Sequence, residues 1–343
     1  MAKILFSHSV FPMQFTRIAT FMANLGHECL FVAPEAGSDI RLPGVQFLQH
    51  QAFDYDSMKL FCERLRDRGF VPDVIYAASW CGDFPAFKEV FPLARLVGYF
   101  RWPSGEYNLL DLSVCDRAVS PTEFQKTMFH SDKIEVVHEG IDTEYFATVD
   151  ERWKDEDVIT YTTRGMEPLR CFPEFMESME YVLGRMPQAH VVIAGEDKCF
   201  YGGSRIDGKG WGEHMLEILS LPRDRVHFVG TLPYERYRDL LRKSAVHVYL
   251  TKPYVLSWSL LEAMSCGCLV VSNAVAPVKE VIVNSKNGIL SNTWSDLSFH
   301  ILDALVNKAS SKMLAMRQQA RQTIEKRFEL KKCLCKLERI LMS

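Results

Sequence analysis

Two arginines, Arg164 and Arg170, flank a turn in "RGMEPLRCF", directly after the β-branched run "DVITYTT". A guanidinium suits phosphate because its planar fork donates two parallel hydrogen bonds. Two such contacts, each worth about 1.5–3 kcal/mol as charged hydrogen bonds, form a strong anion clamp. The competing explanation is a pair of surface arginines beside Glu167, and local sequence gives the two equal weight. Further on, "PYVLSWSLLEAMSCGCLVV" (253–271) joins a polar and aromatic run to an amphipathic helix and a buried strand. Tyr254, Val255, Leu256, Ser257 and Ser259 would open that helix, whose first amides face outward and can cradle a diphosphate. The helix dipole adds about 0.3–1 kcal/mol for an exposed anion and up to about 2 when partly buried, too little alone. Glu262 has two readings: "SLLE" matches a capping box, while a carboxylate one turn into such a helix could accept from the vicinal hydroxyls of a ribose. Both stay open at this point.

The elements that must position these residues alternate in type along the whole chain. In the first half the strand candidates are "KILFSH", "ECLFVAP", "DVIYAAS", "RLVGYF", "DRAVSP" and "IEVVHEG". In the second they are "DVITYTT", "AHVVIAG", "RVHFVG", "VHVYLT" and "CLVVSN", with helical patterning such as "FPEFMESMEYVLGRM" and "YERYRDLLRKSA" between neighbours. This pattern predicts an α/β protein of two doubly wound, Rossmann-like domains, and 343 residues suit two cores. Hydrophobic alternation stops at Gly140 and charge density rises over 138–157, so the expected domains are 1–150 and 151–310. A C-terminal helical segment of about thirty residues, 311–343, is expected to pack back across both. In open sheets of this kind ligands bind beyond the carboxyl ends of the strands, where the arginines and the helix start both fall.

Composition narrows the function. With 48% hydrophobic and 24% charged residues the chain reads as globular, and no apolar run approaches the roughly 20 residues that span a bilayer. The start, "MAKILFSHSVF", reads as a buried strand rather than a secretory signal, so a cytoplasmic location is expected. Ten scattered cysteines, with two C-x-C pairs and no C-x-x-C, fit reduced thiols. A net charge of −3 argues against a dedicated nucleic-acid binder, although Lys312–Arg339 is basic. Asp54-Tyr55-Asp56 forms a D-x-D, read here as a surface coincidence because it is not next to the anion site. No clustered ligand spacing occurs, and no metal or other cofactor is expected. Tyr161, Phe172 and Phe175 stand at core spacing and are assigned to packing.

Taken in order and spacing, several segments resemble the retaining, nucleotide-sugar-dependent glycosyltransferases of family 4, whose two-Rossmann-domain architecture is called GT-B. They are "ILFSHSVFPMQFTRIA", "SPTEFQKTMF", "VVHEGIDTEYF", "RGMEPLRCFPEF", "HVVIAGED", "VHFVGTLPYERY" and "YVLSWSLLEAMSCGCLVVSN", covering nearly the whole chain. The resemblance implies that Arg164 and, replacing a lysine, Arg170 hold the donor diphosphate, and that Glu262 contacts the donor ribose. It implies a base pocket from Gly195, Glu196, Gly230, Thr231 and Leu232. The loop with Phe11, Pro12 and Met13 would close on the pyrophosphate from the first domain, across a central cleft. Two departures stand out: Tyr254 replaces a glutamate that commonly contacts the donor sugar, and Arg101 stands where many members carry histidine. His8, Gln14 and Asp83 fall on the cleft side of the first domain and are candidates for the acceptor.

The expected partners are a nucleoside-diphosphate sugar and an acceptor hydroxyl on a glycan or lipid-linked glycan, with protein or modified nucleic acid as lesser choices. A homo-oligomer stays open. The alternatives are an epimerase-like nucleotide-sugar enzyme and a catalytically silent nucleotide-binding module, the latter motivated by Tyr254 and Arg101.

Overall fold

The structure, a computed structural model, describes residues 1–9, 14–34, 41–79, 82–102, 106–149, 156–201, 208–253 and 256–343. The chain divides into two units, Met1–Gly140 with Leu330–Ser343, and Ile141–Glu329. The divisions thus fall ten residues before the expected 150/151 boundary and inside the expected C-terminal segment.

In the first unit, strands β1 (Lys3–Ser7), β2 (Glu28–Ala33), β3 (Val45–Gln49), β4 (Val74–Ala78), β5 (Arg95–Tyr99), β6 (Arg117–Ser120) and β7 (Ile134–Val136) form one sheet. Their order is β3-β2-β1-β4-β5-β6-β7, and every pairing is parallel. Helices α1 (Phe15–Asn24), α2 (Tyr55–Asp67), α3 (Phe84–Val90), α4 (Glu106–Val114) and α5 (Glu123–Thr127) follow between strands. The second unit has β8 (Val158–Gly165), β9 (His190–Glu196), β10 (Val226–Gly230), β11 (Val246–Tyr249), β12 (Leu269–Asn273) and β13 (Ile289–Ser291), in the order β10-β9-β8-β11-β12-β13, again all parallel. Its helices are α6 (Phe172–Leu183), α7 (Trp211–Ile218), α8 (Tyr234–Lys243), α9 (Trp258–Ser265), α10 (Ala276–Lys279), α11 (Trp294–Val306) and α12 (Ser311–Arg327). Parallel strands need crossovers, and helices over both faces explain why the central strands are near-continuous apolar runs.

The expected single C-terminal helix is two. It breaks after α12, where buried Phe328 gives its carbonyl to the Ile141 N–H at 2.7 Å, and α13 (Leu330–Met342) then joins the first unit. There Leu337, Ile340 and Leu341 pack with Phe15, Ile18 and Met22 of α1, each fully buried apolar side chain contributing about 1.5–3 kcal/mol. Gly140 permits this return, since a Cβ there would lie 2.5 Å from the Leu330 Cα. No described helix is long and apolar enough to cross a membrane.

Where β4 ends, four polar side chains, Ser79, Asp83, Asn108 and Asp111, are buried together. Ser79 Oγ donates to Asp111 Oδ2 at 2.7 Å and accepts from Asn108 Nδ2 at 2.8 Å, while the Phe84 N–H donates to Asp111 Oδ1 at 3.2 Å. Burial pushes the Asp111 carboxyl up to about 6 against the pull of these bonds. Asp83 lies well above the carboxylate range, from burial first and the Asp111 charge second. The native state therefore holds protons that the unfolded chain has released, and stability falls as pH rises from about 4 to about 6. We expect Asp111→Asn to match wild type near pH 4 and to exceed it by about 1–3 kcal/mol above pH 6.5, read by calorimetric unfolding across that range.

Candidate functional site

The second unit's strand order reverses between β8 and β11, and a cavity of about 480 Å³ opens beyond the carboxyl ends of these strands. All of its lining residues belong to that unit. Its floor comes from the ends of β8 (Thr162–Arg164) and β9 (Ala194–Glu196), which approach unusually closely. Gly195 has φ +138°, and a Cβ there would lie 2.1 Å from the Thr163 carbonyl oxygen. Gly165 is similar, with the Lys198 carbonyl 2.5 Å from where its Cβ would sit. Between Thr162 and Gly165 the pairing with β9 slips, and Thr163 Oγ1 donates to the Gly165 carbonyl at 2.9 Å. This irregularity turns the chain out of the sheet at Arg164.

Both arginines line the cavity, and Glu167 neutralises neither. The Glu167 side chain is buried, and its Oε2 accepts from the backbone N–H groups of Phe200 at 2.7 Å and Tyr201 at 2.8 Å. Phe200, held in this way, lies under the Arg164 guanidinium at 4.2 Å from ring centroid to Cζ, a cation–π contact that orients the fork without discharging it. Arg170 ends a 3-10 turn, Pro168–Arg170, and its Nη1 is buried with no hydrogen-bond partner among the described residues. Its backbone is fixed instead: Tyr161 Oη donates to the Arg170 carbonyl at 2.7 Å, and Lys252 N–H donates to the Leu169 carbonyl at 3.0 Å. Tyr161 stacks on Phe175 with centroids 4.3 Å apart, so the residue assigned to packing also steers an arginine. Phe172 and Phe175 are core, as expected.

Helix α9 begins at Trp258 with Ser257 as its cap, Ser257 Oγ accepting from Ser259 N–H at 3.4 Å and Ser259 Oγ at 3.1 Å. The capping-box reading of Glu262 fails for this reason: Ser259 is already inside the helix, which leaves Glu262 too far along to reach a cap amide. Glu262 is 4% exposed, lines the cavity, and accepts from Tyr234 Oη at 2.6 Å and Tyr237 Oη at 2.7 Å. Burial and the Glu262 charge raise the Tyr237 hydroxyl well above its ordinary value, so it remains a donor.

Of the residues expected at the donor side, Arg164, Arg170, Gly195, Glu196, Thr231, Leu232, Ser257, Ser259 and Glu262 line one cavity. Gly230 and Leu256 are not among its lining residues; Gly230, at φ +65°, shapes the turn that delivers Thr231. Glu196 is paired with Lys198 at 2.9 Å, which lowers its carboxyl below the usual range. Tyr254, Val255, Phe11, Pro12 and Met13 lie outside the described residues. The sequence reading missed Tyr234, Tyr237, Tyr249 and Trp258, all of which line the cavity. The two tyrosines of "PYERY" carried a signal, being aromatic residues three apart at the solvent-facing start of an amphipathic helix.

The first-unit candidates are placed separately. His8 is buried edge-on against the Phe15 ring at 5.0 Å. Gln14 caps α1 with its Oε1 buried and unbonded among the described residues, and Asp83 belongs to the buried carboxyl pair. Arg101 gives its carbonyl to Gln125 Nε2 at 2.7 Å. Asp54 of the D-x-D caps α2, accepting from Ser57 N–H at 3.0 Å, so its geometry is that of a helix start.

Two guanidinium groups, a helix N-terminus and a buried carboxylate around one cavity can hold an anion together with a polyhydroxyl group. The chain matches the family described as glycosyl transferases group 1 over residues 152–323, and the glycosyl transferase family 4 group over 28–108 and 104–146. The Anabaena protein HepE, solved in complex with UDP-glucose, has the same fold with a TM-score of 0.80 at 15% identity, covering 100% of both chains. A glycosyltransferase from Rickettsia africae gives 0.80 at 16% identity, over 99% of this chain and 97% of that one. Among curated relatives, the D-inositol 3-phosphate glycosyltransferase of Mycobacteroides abscessus is 26% identical over 179 residues, 48% of this chain and 38% of that protein. The chain thus spans little more than a third of the length of the curated relatives it matches.

Because Glu167 holds two backbone donors, Glu167→Ala should lower the unfolding free energy of the second unit by about 2–4 kcal/mol in urea titrations. Hydrogen exchange at Phe200 and Tyr201 should accelerate in the same variant, whereas Glu167→Gln, which keeps an acceptor oxygen, should lose less.

Proposed function

This chain belongs to the group 1 glycosyl transferases, and we propose that it moves a sugar from a nucleoside-diphosphate sugar to an acceptor hydroxyl with retention of configuration, the second unit holding the donor. The observation that carries the reading is the buried Nη1 of Arg170, unbonded among the described residues, in a cavity that also receives Arg164 and the start of α9. A buried charged donor without a partner is costly, and an incoming diphosphate removes the cost. In this reading the diphosphate lies between the two guanidinium groups and the α9 amides. Glu262 faces the donor ribose, and the base lies toward Gly195, Thr231 and Leu232. The nucleotide bound to HepE makes UDP the first nucleotide to try.

The chemical step follows from where charge develops. As the bond from the anomeric carbon to the leaving phosphate oxygen lengthens, negative charge grows on the diphosphate, and fixed guanidinium groups stabilise that charge without reorganising. The acceptor oxygen attacks from the face the phosphate is leaving, and a phosphate oxygen takes its proton. This route keeps the anomeric configuration and needs no separate protein base, consistent with arginine rather than histidine at position 101. The counter-charge comes from the protein itself. The acceptor is a hydroxyl of a glycan or lipid-linked glycan.

Arg164→Ala and Arg170→Ala should each weaken nucleoside-diphosphate binding and slow turnover by about 10- to 100-fold with unfolding temperature retained, each removing about 1.5–3 kcal/mol of charged hydrogen bonding. Incubation with a panel of nucleotide sugars tests the activity. Release of nucleoside diphosphate that depends on added acceptor supports transfer, and product NMR reads the anomeric configuration. Isomerised donor without acceptor, or binding of nucleotide with no donor consumed, would count against it.

A further inference from the structure

The Glu262 carboxylate is held by an aromatic frame from another helix. Tyr234 and Tyr237, one helical turn apart on α8, each donate to a different oxygen of its carboxylate, at 2.6 and 2.7 Å. The half-exposed Tyr234 ring stacks against Tyr145 at 5.4 Å and 13° and against Tyr237 at 5.9 Å and 19°. Phe146 meets Tyr234 and Tyr237 edge-on, and the Arg238 guanidinium covers Tyr145 at 4.6 Å. Tyr145 is itself tethered through its carbonyl to Arg242 Nη2 at 3.2 Å. These ring contacts and the two hydroxyl bonds together orient the carboxylate. A carboxylate offers about four acceptor positions, and the two tyrosyl donors take one on each oxygen.

We propose that Tyr234 and Tyr237 are positioning residues that aim Glu262 at the vicinal hydroxyls of the donor's ribose. The chain's discrimination between ribose and sugars lacking those hydroxyls then resides in the tyrosine pair. The proposal rests on the reading of the cavity as a nucleotide-sugar site. It follows that removing either hydroxyl loosens the carboxylate and weakens the ribose contact, while base and diphosphate contacts persist. A tyrosine pair that served only to stabilise the fold would weaken every ligand equally.

The test compares UDP, GDP and ADP with their 2′,3′-dideoxy counterparts by titration calorimetry, on wild type, Tyr234→Phe, Tyr237→Phe and the double variant. Phenylalanine keeps the stack, and unfolding temperature reports whether the frame survives. Wild type should prefer the ribonucleotide by about tenfold or more, and each single variant should lose about 3- to 10-fold in ribonucleotide affinity with dideoxynucleotide affinity unchanged. The double variant should bring the ratio close to one, as should Glu262→Gln. Equal loss for both nucleotide types, an unchanged ratio in the double variant, or a wild type without preference each overturns the proposal while leaving the donor site standing. A wild type that binds none of the three nucleoside diphosphates overturns the donor reading, and this one with it.

Discussion

Glu167 lies between two arginines in the sequence and gives its charge to neither. Its buried carboxylate is satisfied by the Phe200 and Tyr201 amides, an arrangement that turns it toward backbone donors rather than toward Arg164 or Arg170. Had the glutamate formed a buried ion pair with either arginine, the site would hold an internally neutral, strongly bonded group with little to offer a ligand. Instead the unit keeps two cations at the mouth of a parallel sheet, one of them with a buried donor unbonded among the described residues. That is an unfavourable state for the protein alone, and it makes sense as stored affinity for an anion.

The backbone around this charge arrangement is over-determined. Two glycines let the ends of β8 and β9 and the turn after β9 pass where a side chain would strike a carbonyl, and the slipped pairing beyond Thr162 then throws Arg164 outward. Tyr161 reaches from the core to the Arg170 carbonyl, so hydrophobic packing against Phe175 is transmitted to the turn that carries the second guanidinium. Around Glu262 the same pattern recurs with different residues, where stacked tyrosines convert ring packing into the orientation of a carboxylate. Both parts of the site are therefore positioned by aromatic contacts rather than by charge pairing.

Much of this was legible in the amino-acid sequence, and what was missed has physical reasons. All eleven strands anticipated from apolar runs exist, because strands buried on both faces write themselves as continuous β-branched segments. The two overlooked strands, β3 and β13, are edges: β3 is incompletely buried along "VQFLQ", and β13 is three residues long. The two arginines and the α9 start were visible because their chemistry and their place after strands coincide. The choice between the two roles of Glu262 was not, since it depends on whether Ser257 or Ser259 caps α9 and on tyrosines from another helix. The break between α12 and α13 escaped because "EKRFELKK" carries no proline or glycine; tertiary pairing with Ile141 supplies the interruption.

That break has a bearing on biosynthesis. The helix that follows it furnishes Leu337, Ile340 and Leu341 to a core whose other members come from β1, α1, β2 and neighbouring elements. A ribosome delivers those early elements first, then the entire second unit, and only afterwards the helix that covers the early core. The amino-terminal unit must therefore wait with an apolar surface uncovered while the later unit can already close. In this molecule the part translated first is the part finished second, and chaperone dependence during synthesis should concentrate there rather than in the segment that carries the arginines.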